Sequence, residues 1–392
     1  VDLSEGELSH LDTRDYLPDY LGGLGVAAKI AWDQLKPGVG PFDPENLLMV
    51  MVGPLTGTLA SGAGRVEVAG IAPQQKPAVY SRSGMGGHWG AELKYAGYDG
   101  VVVRGQSSKP VYLWVEDGQA SLRDASHLWG KGTFATTVAL RAQHGAKTRV
   151  ISCGQAGERL SRIACIQSET GNAAGQGGYG AVMGAKRLKA IAVRGSGGVA
   201  LAHPQRFLDL CLNASKEGQN ATGSATDYFR PGEAASGPNV RTKKCGFCAT
   251  PCRHRLFMNI PGESTAGLYT VASQCWGYHA GSKPADIEAR AITSDYGLNG
   301  WEISYGIIPW LQLCKQQGLI DCIDGISIPV PDKPIEYLRD IARASGQFLS
   351  ALTRKIALRE GELGEALADG ACYAAEVLFG GDGKPLLDPI YP

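Results

Sequence analysis

The sequence lacks what would direct it to a membrane, a nucleic acid or an oxidising compartment. No apolar run reaches the roughly 20 residues that a bilayer-spanning helix needs, so no membrane partner is expected. The 38 basic residues are cancelled by 38 acidic ones. That balance removes the positive excess on which phosphate-backbone binding depends, and no nucleic-acid partner is expected. No leader pattern opens the chain, and the ten cysteines follow no small-secreted-domain spacing. A reducing cytoplasm is therefore the expected setting. The G-x-S-x-G signature of a nucleophilic serine is missing. Histidines number only seven, which leaves acid–base chemistry few candidates. His88 sits among glycines and His279 follows Trp276-Gly277-Tyr278, but a lone histidine is more often hydrogen-bonded structure.

Glycine, in contrast, is abundant at 54 residues, and it crowds the first half in GGLG, SGMGGHWG and AAGQGGYGAVMG. Glycine at that density suits backbone that must approach something closely. At 392 residues the chain is long enough for two or three domains. The pattern opens in what reads as mid-strand, VDLSEGEL, and ends on LLDPIYP without a closing element, so a fragment of a longer chain is the expectation.

Periodicity divides the chain in two. Leu47–Val52 is an apolar run expected as a buried strand. Val66–Val68, Gly100–Arg104, Val111–Val115 and Arg149–Ser152 read as further strands, with Asp117-Gly118 as a hairpin turn. Tyr20–Leu35 and Thr133–His144 have helical spacing. The span 1–203 is thus expected as a β-rich domain. The span 204–392 is expected as a mainly helical one, with helices over Phe207–Lys216, Pro284–Tyr296, Ile303–Gln317, Ile335–Ser345, Leu352–Arg359 and Glu362–Leu378. The fold class is α+β.

Two stretches carry chemistry. Cys245, Cys248 and Cys252 fall at C-x2-C-x3-C within KKCGFCATPCRHR. Short turns at that spacing bring three thiolates to a common point, which favours an iron–sulfur cluster. Zinc with His254 as fourth ligand is the main rival, and cysteines that merely fill a turn are the bland reading. Lys243, Lys244, Arg253 and Arg255 surround the cysteines with positive charge, equally compatible with an anionic cluster, an acidic electron carrier or a solvated loop. Glu263, the nearest carboxylate downstream, reads as a helix-start or loop charge. The second stretch, Asn172–Lys186, is glycine-rich, and its free N–H groups suit a phosphate-bearing cofactor, with Lys186 and Arg187 to neutralise charge. The match to G-x-G-x-x-G at Gly175, Gly177 and Gly180 lacks a βαβ context, so a dinucleotide site is disfavoured. Tight packing remains an alternative there, as it does for Gly84–Gly90.

Several passages together resemble the tungsten-dependent aldehyde:ferredoxin oxidoreductase family. They are PENLLMVMVGPLTGTLASGAGR (44–65), GGHWGAELKYAGYDGVVVRG (86–105), RDASHLWGKG (123–132), GQAGERLSRIACIQSETGNAAGQGGYGAVMGAKRLKAIAVRG (154–195), CGFCATPC (245–252) and DYGLN (295–299). The resemblance implies a tungsten bis-pterin cofactor (molybdenum in rare members), a [4Fe–4S] cluster beside one pterin, and magnesium bridging the pterin phosphates. It also implies a base of two β-sheets covered by two helical domains, the last of them absent from this sequence. Carried over by position, Arg65, Gly84, Gly86, Gly87, Asn172, Ala173 and Gly175 would contact the pterins, and Cys245, Cys248 and Cys252 would hold the cluster. The family's D-x-x-G-L-D motif falls on Ser294–Asn299, where both acid ends are changed and Asp295 is the nearest acid. The family often has arginine at Asn172 and asparagine at Gly84. None of Cys275, Cys314, Cys322 and Cys372 matches the fourth cluster ligand, which belongs to the last domain.

Aldehyde-oxidising members carry a glutamate near the metal where Thr270 stands here. The catalytic subunit of tungsten benzoyl-CoA reductases also lacks it, and YLGGLGVAAKIAWDQL, MGGHWGAELKYAGYDG and YGLNGW are similar to that subunit. The resemblance therefore implies oxidation of a small aldehyde to its carboxylate, with reduction of an aromatic acyl-CoA as the alternative. Thr270, Tyr269 and His279 are the substrate-side candidates. A ferredoxin or an iron–sulfur electron-transfer subunit would be the partner, within an oligomer. A zinc-stabilised binding protein and a non-catalytic scaffold are the readings from other classes.

Overall fold

The computed structural model describes residues 1–168, 171–221, 240–242, 245–248, 254–259, 268–272, 284–336 and 340–390. Strands β1 (Leu48–Val52), β2 (Val66–Ala72), β3 (Val79–Met85) and β4 (Gly100–Val103) form an antiparallel sheet in the order β3-β2-β1-β4. The second sheet comprises β5 (Val111–Glu116), β6 (Gln119–Asp124), β7 (Arg149–Ser152), β8 (Ile166–Ser168), β9 (Ala173–Ala174) and β10 (Leu188–Arg194). Its order is β6-β5-β10-β7-β8-β9, with only the β5–β10 pair parallel. Asp117 and Gly118 both take positive φ, 41° and 82°, in the tight hairpin between β5 and β6.

Side-chain alternation stacks these sheets in layers. Leu48, Val50 and Val52 of β1 share a core with Leu113, Val115, Ile151, Ile191 and Val193 of the second sheet, so the two sheets face each other. Met49 and Met51 point the other way, onto Val26, Ala27, Ile30 and Ala31 of α1 (Leu24–Gln34). On the opposite outer face, Tyr112, Trp114, Ala190 and Ala192 pack against Leu140 of α3 (Thr133–His144). Between the sheets lie Trp89 and Leu93 of α2 (Trp89–Tyr95). A strand buried on both faces reads as a continuous apolar run, which is why LLMVMV shows no alternation in sequence.

After the short helix α4 (Gln155–Glu158) and β8, the glycine-rich stretch runs from β9 through Gly178, at φ 78°, into α5 (Tyr179–Ala185) and then β10. β9 and β10 are not neighbours, so no parallel dinucleotide-binding unit is formed. Lys186 and Arg187 do not serve as phosphate cations. The Lys186 Nζ donates to Pro44 O and Gly105 O, both at 3.1 Å, and Arg187 bonds to Ser108 O. Burial pushes the Lys186 ammonium down to about 8 from 10.5. The unfolded chain then holds more protons between those values, so stability rises with pH across that window and the burial cost is full below it. Against Lys186→Met, the wild type should gain about 2 kcal/mol between pH 8 and 10 in urea denaturation.

The second half is mainly helical, with a three-stranded sheet that periodicity did not reveal: β11 (Val240–Thr242), β12 (His254–Asn259) and β13 (Leu268–Ala272). Helix α6 (Pro204–Ala221) precedes it. After it come α7 (Pro284–Tyr296), a π-helical turn over Glu302–Ile307 and α8 (Ile308–Gln316). Helices α9 (Gly346–Leu358), α10 (Gly361–Leu367) and α11 (Ala371–Val377) close the core around Trp310, Phe348 and Leu352. No helix among the described residues is long and apolar enough to cross a membrane.

Two helical expectations fail for identifiable reasons. The described part of Ile335–Ser345 is not α-helical; residues 337–339 lie outside the described set. There the fully buried Gln312 grips the Ala342 backbone, accepting from its N–H at 2.9 Å and donating to its carbonyl at 2.8 Å. A buried amide that must be satisfied overrides local helical spacing. Glu362–Leu378 divides at Gly370, at φ 96°, where Glu302 Oε1 accepts the Ala371 N–H and starts α11.

Candidate functional site

A cavity of about 670 Å³ draws its walls from both halves of the chain. From the sheets come the loop before β2, the end of β3, and the β8–β9 hairpin with the glycines that follow it. From the second half come the Cys245–Cys248 turn, the segment from Thr293 to Ser304, Ile308 and Leu349.

The glycines are there because side chains would not fit. A Cβ on Gly84 would sit 2.5 Å from Arg65 Nη2, so the Arg65 guanidinium lies directly on that backbone. A Cβ on Gly86 would meet both Asn172 Nδ2 and Cys245 Sγ at 2.8 Å. The Cys245 turn is docked on this loop. Gly246 N donates to Gly87 O at 3.0 Å, Asn172 Nδ2 donates to Cys245 Sγ at 3.6 Å, and Cys248 N closes the turn on Cys245 O at 3.0 Å. Phe247, at φ 46° and half-exposed, forms the tip.

On the helical side, Asn299 N donates to Ile163 O at 2.9 Å, tying the Ser294–Asn299 segment to the sheet domain. Asn299 Oδ1 accepts the Trp301 N–H at 3.0 Å at the start of the π-turn, a feature frequent at functional sites. Among the described residues its buried Nδ2 has no partner, and neither does Gln167 Oε1. Burial holds the Cys165 thiol at about 12, keeping it neutral.

Of the residues expected from sequence, Arg65, Gly84, Gly86, Asn172, Ala173, Gly175, Ser294, Asn299, Cys245 and Cys248 all line this cavity. Gly87 touches the cysteine turn. Asp295 does not line the cavity: its Oδ1 accepts the Phe134 N–H at 2.8 Å and its carboxylate presses on Gly132, at the N-terminus of α3. Thr270 and Tyr269 lie on β13, opposite Phe257 and Met258. Cys252, Glu263 and His279 are outside the described residues. Sequence reasoning missed Arg82, Cys165, Gln167, Trp301 and Ser304 as lining residues. Gln167 carried a signal, since a polar residue within the apolar run RIACIQ invites the question of its partner.

The residues fit a large, phosphate-bearing heterocyclic cofactor. Glycine backbone and two arginines, Arg65 and Arg82, line the space, and two buried polar atoms of the lining, Gln167 Oε1 and Asn299 Nδ2, lack partners among the described residues. Comparison with known proteins agrees. The family profile of the aldehyde ferredoxin oxidoreductase N-terminal domain matches residues 1–195. A tungsten-containing aldehyde ferredoxin oxidoreductase of Thermococcus kodakarensis is 44% identical over 210 residues, covering 53% of this chain and 34% of that protein. The enzyme of the same name from Pyrococcus horikoshii is 30% identical over 421 residues, covering 97% of this chain and 67% of that protein. Among solved structures, the active-site complex BamBC of benzoyl coenzyme A reductase with 1,5-dienoyl-CoA aligns at a TM-score of 0.76 and 29% identity. That alignment covers 98% of this chain and 63% of the other.

Proposed function

Starting from the tungsten-containing aldehyde ferredoxin oxidoreductases, the oxidoreductase family to which this chain belongs, we propose that it forms the cofactor-binding part of a tungsten–pterin enzyme. That enzyme oxidises an aldehyde to its carboxylate and delivers electrons through a [4Fe–4S] cluster to a ferredoxin. The observation that carries this reading is the 3.6 Å approach of Asn172 to Cys245 at the wall of the glycine-lined cavity. It puts a cluster-type cysteine turn against the loops that would cradle a pterin.

When bound, the tungsten–pterin group would supply two-electron chemistry and the cluster single-electron transfer. The chain's own residues bind and orient. Arg65 offers a fork for pterin phosphate, assisted by magnesium, and Gly84, Gly86 and Gly175 let the ligand approach backbone. Cys245 and Cys248, with Cys252, would hold cluster iron. Asn299 offers a donor to the pterin from the helical side.

A second reading, reduction of an aromatic acyl-CoA, is supported by a specific observation. The active-site complex of benzoyl coenzyme A reductase with 1,5-dienoyl-CoA aligns over 98% of this chain at a TM-score of 0.76, and Trp301 adds an aromatic side chain to the cavity lining. Elemental analysis tests the common ground: tungsten and iron are expected, and stoichiometric zinc with no tungsten would sink it. Anaerobic viologen-linked assays with short and aromatic aldehydes against benzoyl-CoA separate the two substrates. Full tungsten loading with no turnover on either would leave a scaffold role.

A further inference from the structure

Strand β8 is buried at every position, yet its centre is Gln167, 5% exposed. In register it lies opposite Ala173 of β9 on one side and Ser152 of β7 on the other. Directly opposed residues of an antiparallel pair project from the same face of the sheet. Gln167 therefore stands beside Ala173, in the wall formed with Asn172 and Gly175. Its Nε2 donates to Cys165 Sγ at 3.3 Å, which fixes the amide, and its buried Oε1 has no partner among the described residues. A buried acceptor left unmade is costly, and a bound ligand is the natural way to complete one that lines a cavity.

We propose that Gln167 is a cofactor-reading residue whose carbonyl oxygen accepts an N–H from a planar lactam- or amidine-bearing ring of the pterin class, seated along Asn172–Gly175. The inference rests on the pterin reading of the cavity. The chemistry selects the ligand class. An acceptor without a hydrogen repels phosphate oxygens, and an aldehyde brings no N–H to it. The pyrimidine edge of a pterin brings several. The orphaned donor on Asn299 is the complementary group from the helical side, suited to a ring carbonyl. Ser152 Oγ also lacks a partner among the described residues, but Ser152 does not line the cavity, which makes it the internal control.

The test uses the holoprotein isolated anaerobically from tungstate-supplied cells. Gln167→Met keeps the side chain's length without its amide, and Gln167→Leu is the second variant; Ser152→Ala is the control. Pterin is measured by fluorescence after oxidative release, tungsten by elemental analysis, and the cofactor-free thermal midpoint beside them. Both Gln167 variants should retain the cofactor about tenfold more weakly, the equivalent of one neutral hydrogen bond. Their cofactor-free midpoint should not fall, because the unmade acceptor goes with the amide, and Ser152→Ala should hold pterin as the wild type does. Unchanged pterin in Gln167→Met would overturn the assignment. So would an equal loss in Ser152→Ala, which would make the effect one of strand packing, or a shift confined to the acyl-CoA KM, which would move the contact to substrate. Wild-type protein without any pterin would instead break the functional reading itself.

Discussion

Gly86→Ala should strip the protein of both iron and pterin while leaving the sheets folded. The added methyl would sit 2.8 Å from Asn172 Nδ2 and from Cys245 Sγ, far inside contact distance. Gly86 does not occupy the left-handed region, so alanine brings no backbone strain and the effect is purely one of space. To make room, the Cys245–Cys248 turn must lift from the glycine loop, breaking the 3.0 Å bond from Gly246 N to Gly87 O and the Asn172–Cys245 contact. Cys245→Ser is the partner experiment. It removes one cluster ligand without adding bulk against the loop, and the serine hydroxyl can still accept from Asn172, so visible iron–sulfur absorbance should vanish while pterin is largely retained. Iron and pterin content, read side by side, check the pair. If Gly86→Ala keeps both at wild-type levels, the cysteine turn and the cofactor loop are not mechanically joined.

How much of this was legible beforehand depended on whether local pattern or distant contact fixed each feature. Thr133–His144 and Arg149–Ser152 have the bounds their periodicity implied, because their apolar faces meet a flat neighbouring layer. The glycine loops announced themselves because close approach tolerates no other residue. Cys245 and Asn172 stand 73 positions apart, and no spacing rule joins them; only the family resemblance suggested that they share a site. Ile335–Ser345 misled because the decisive partner, Gln312, lies 30 residues from Ala342. Asp295 has a different place from the one its motif implied. As the nearest acid to a motif it suggested a cofactor contact, whereas an α3 N-terminus with unmet N–H groups competes for the same carboxylate.

The largest loss of stability should come from Lys189→Met, at about 3–5 kcal/mol, the cost of leaving one member of a buried ion pair alone. Lys189 Nζ is 2.5 Å from Glu158 Oε1, with the two side chains 0% and 3% exposed. The register of β10 against β5 shifts between Leu188 and Ala190, the irregularity at which Lys189 sits. Each member of the pair has a further partner: Lys189 also donates to Lys131 O at 2.7 Å, and Glu158 Oε2 accepts from Gly130 N at 2.8 Å. Burial pushes the Glu158 carboxyl upward and the ammonium opposes it. The pair's structural consequence lies in what it clamps. Residues 130 and 131 lead into Gly132 and α3, whose first turn holds Asp295 and whose Thr133 Oγ1 donates to Ser294 O at 3.1 Å. Ser294 lines the cavity, so the ion pair positions that wall from behind the sheet. Glu158→Gln should cost less, since an amide oxygen still accepts from Gly130 N. The double variant Lys189→Met/Glu158→Gln should cost less than the sum of the single changes, because no unpaired charge remains. Denaturation midpoints of the four proteins close that cycle, and pterin content measured on them should fall in the order of lost stability. Additive costs would mean that the two groups do not act as a pair, and unchanged pterin would detach them from the cavity wall.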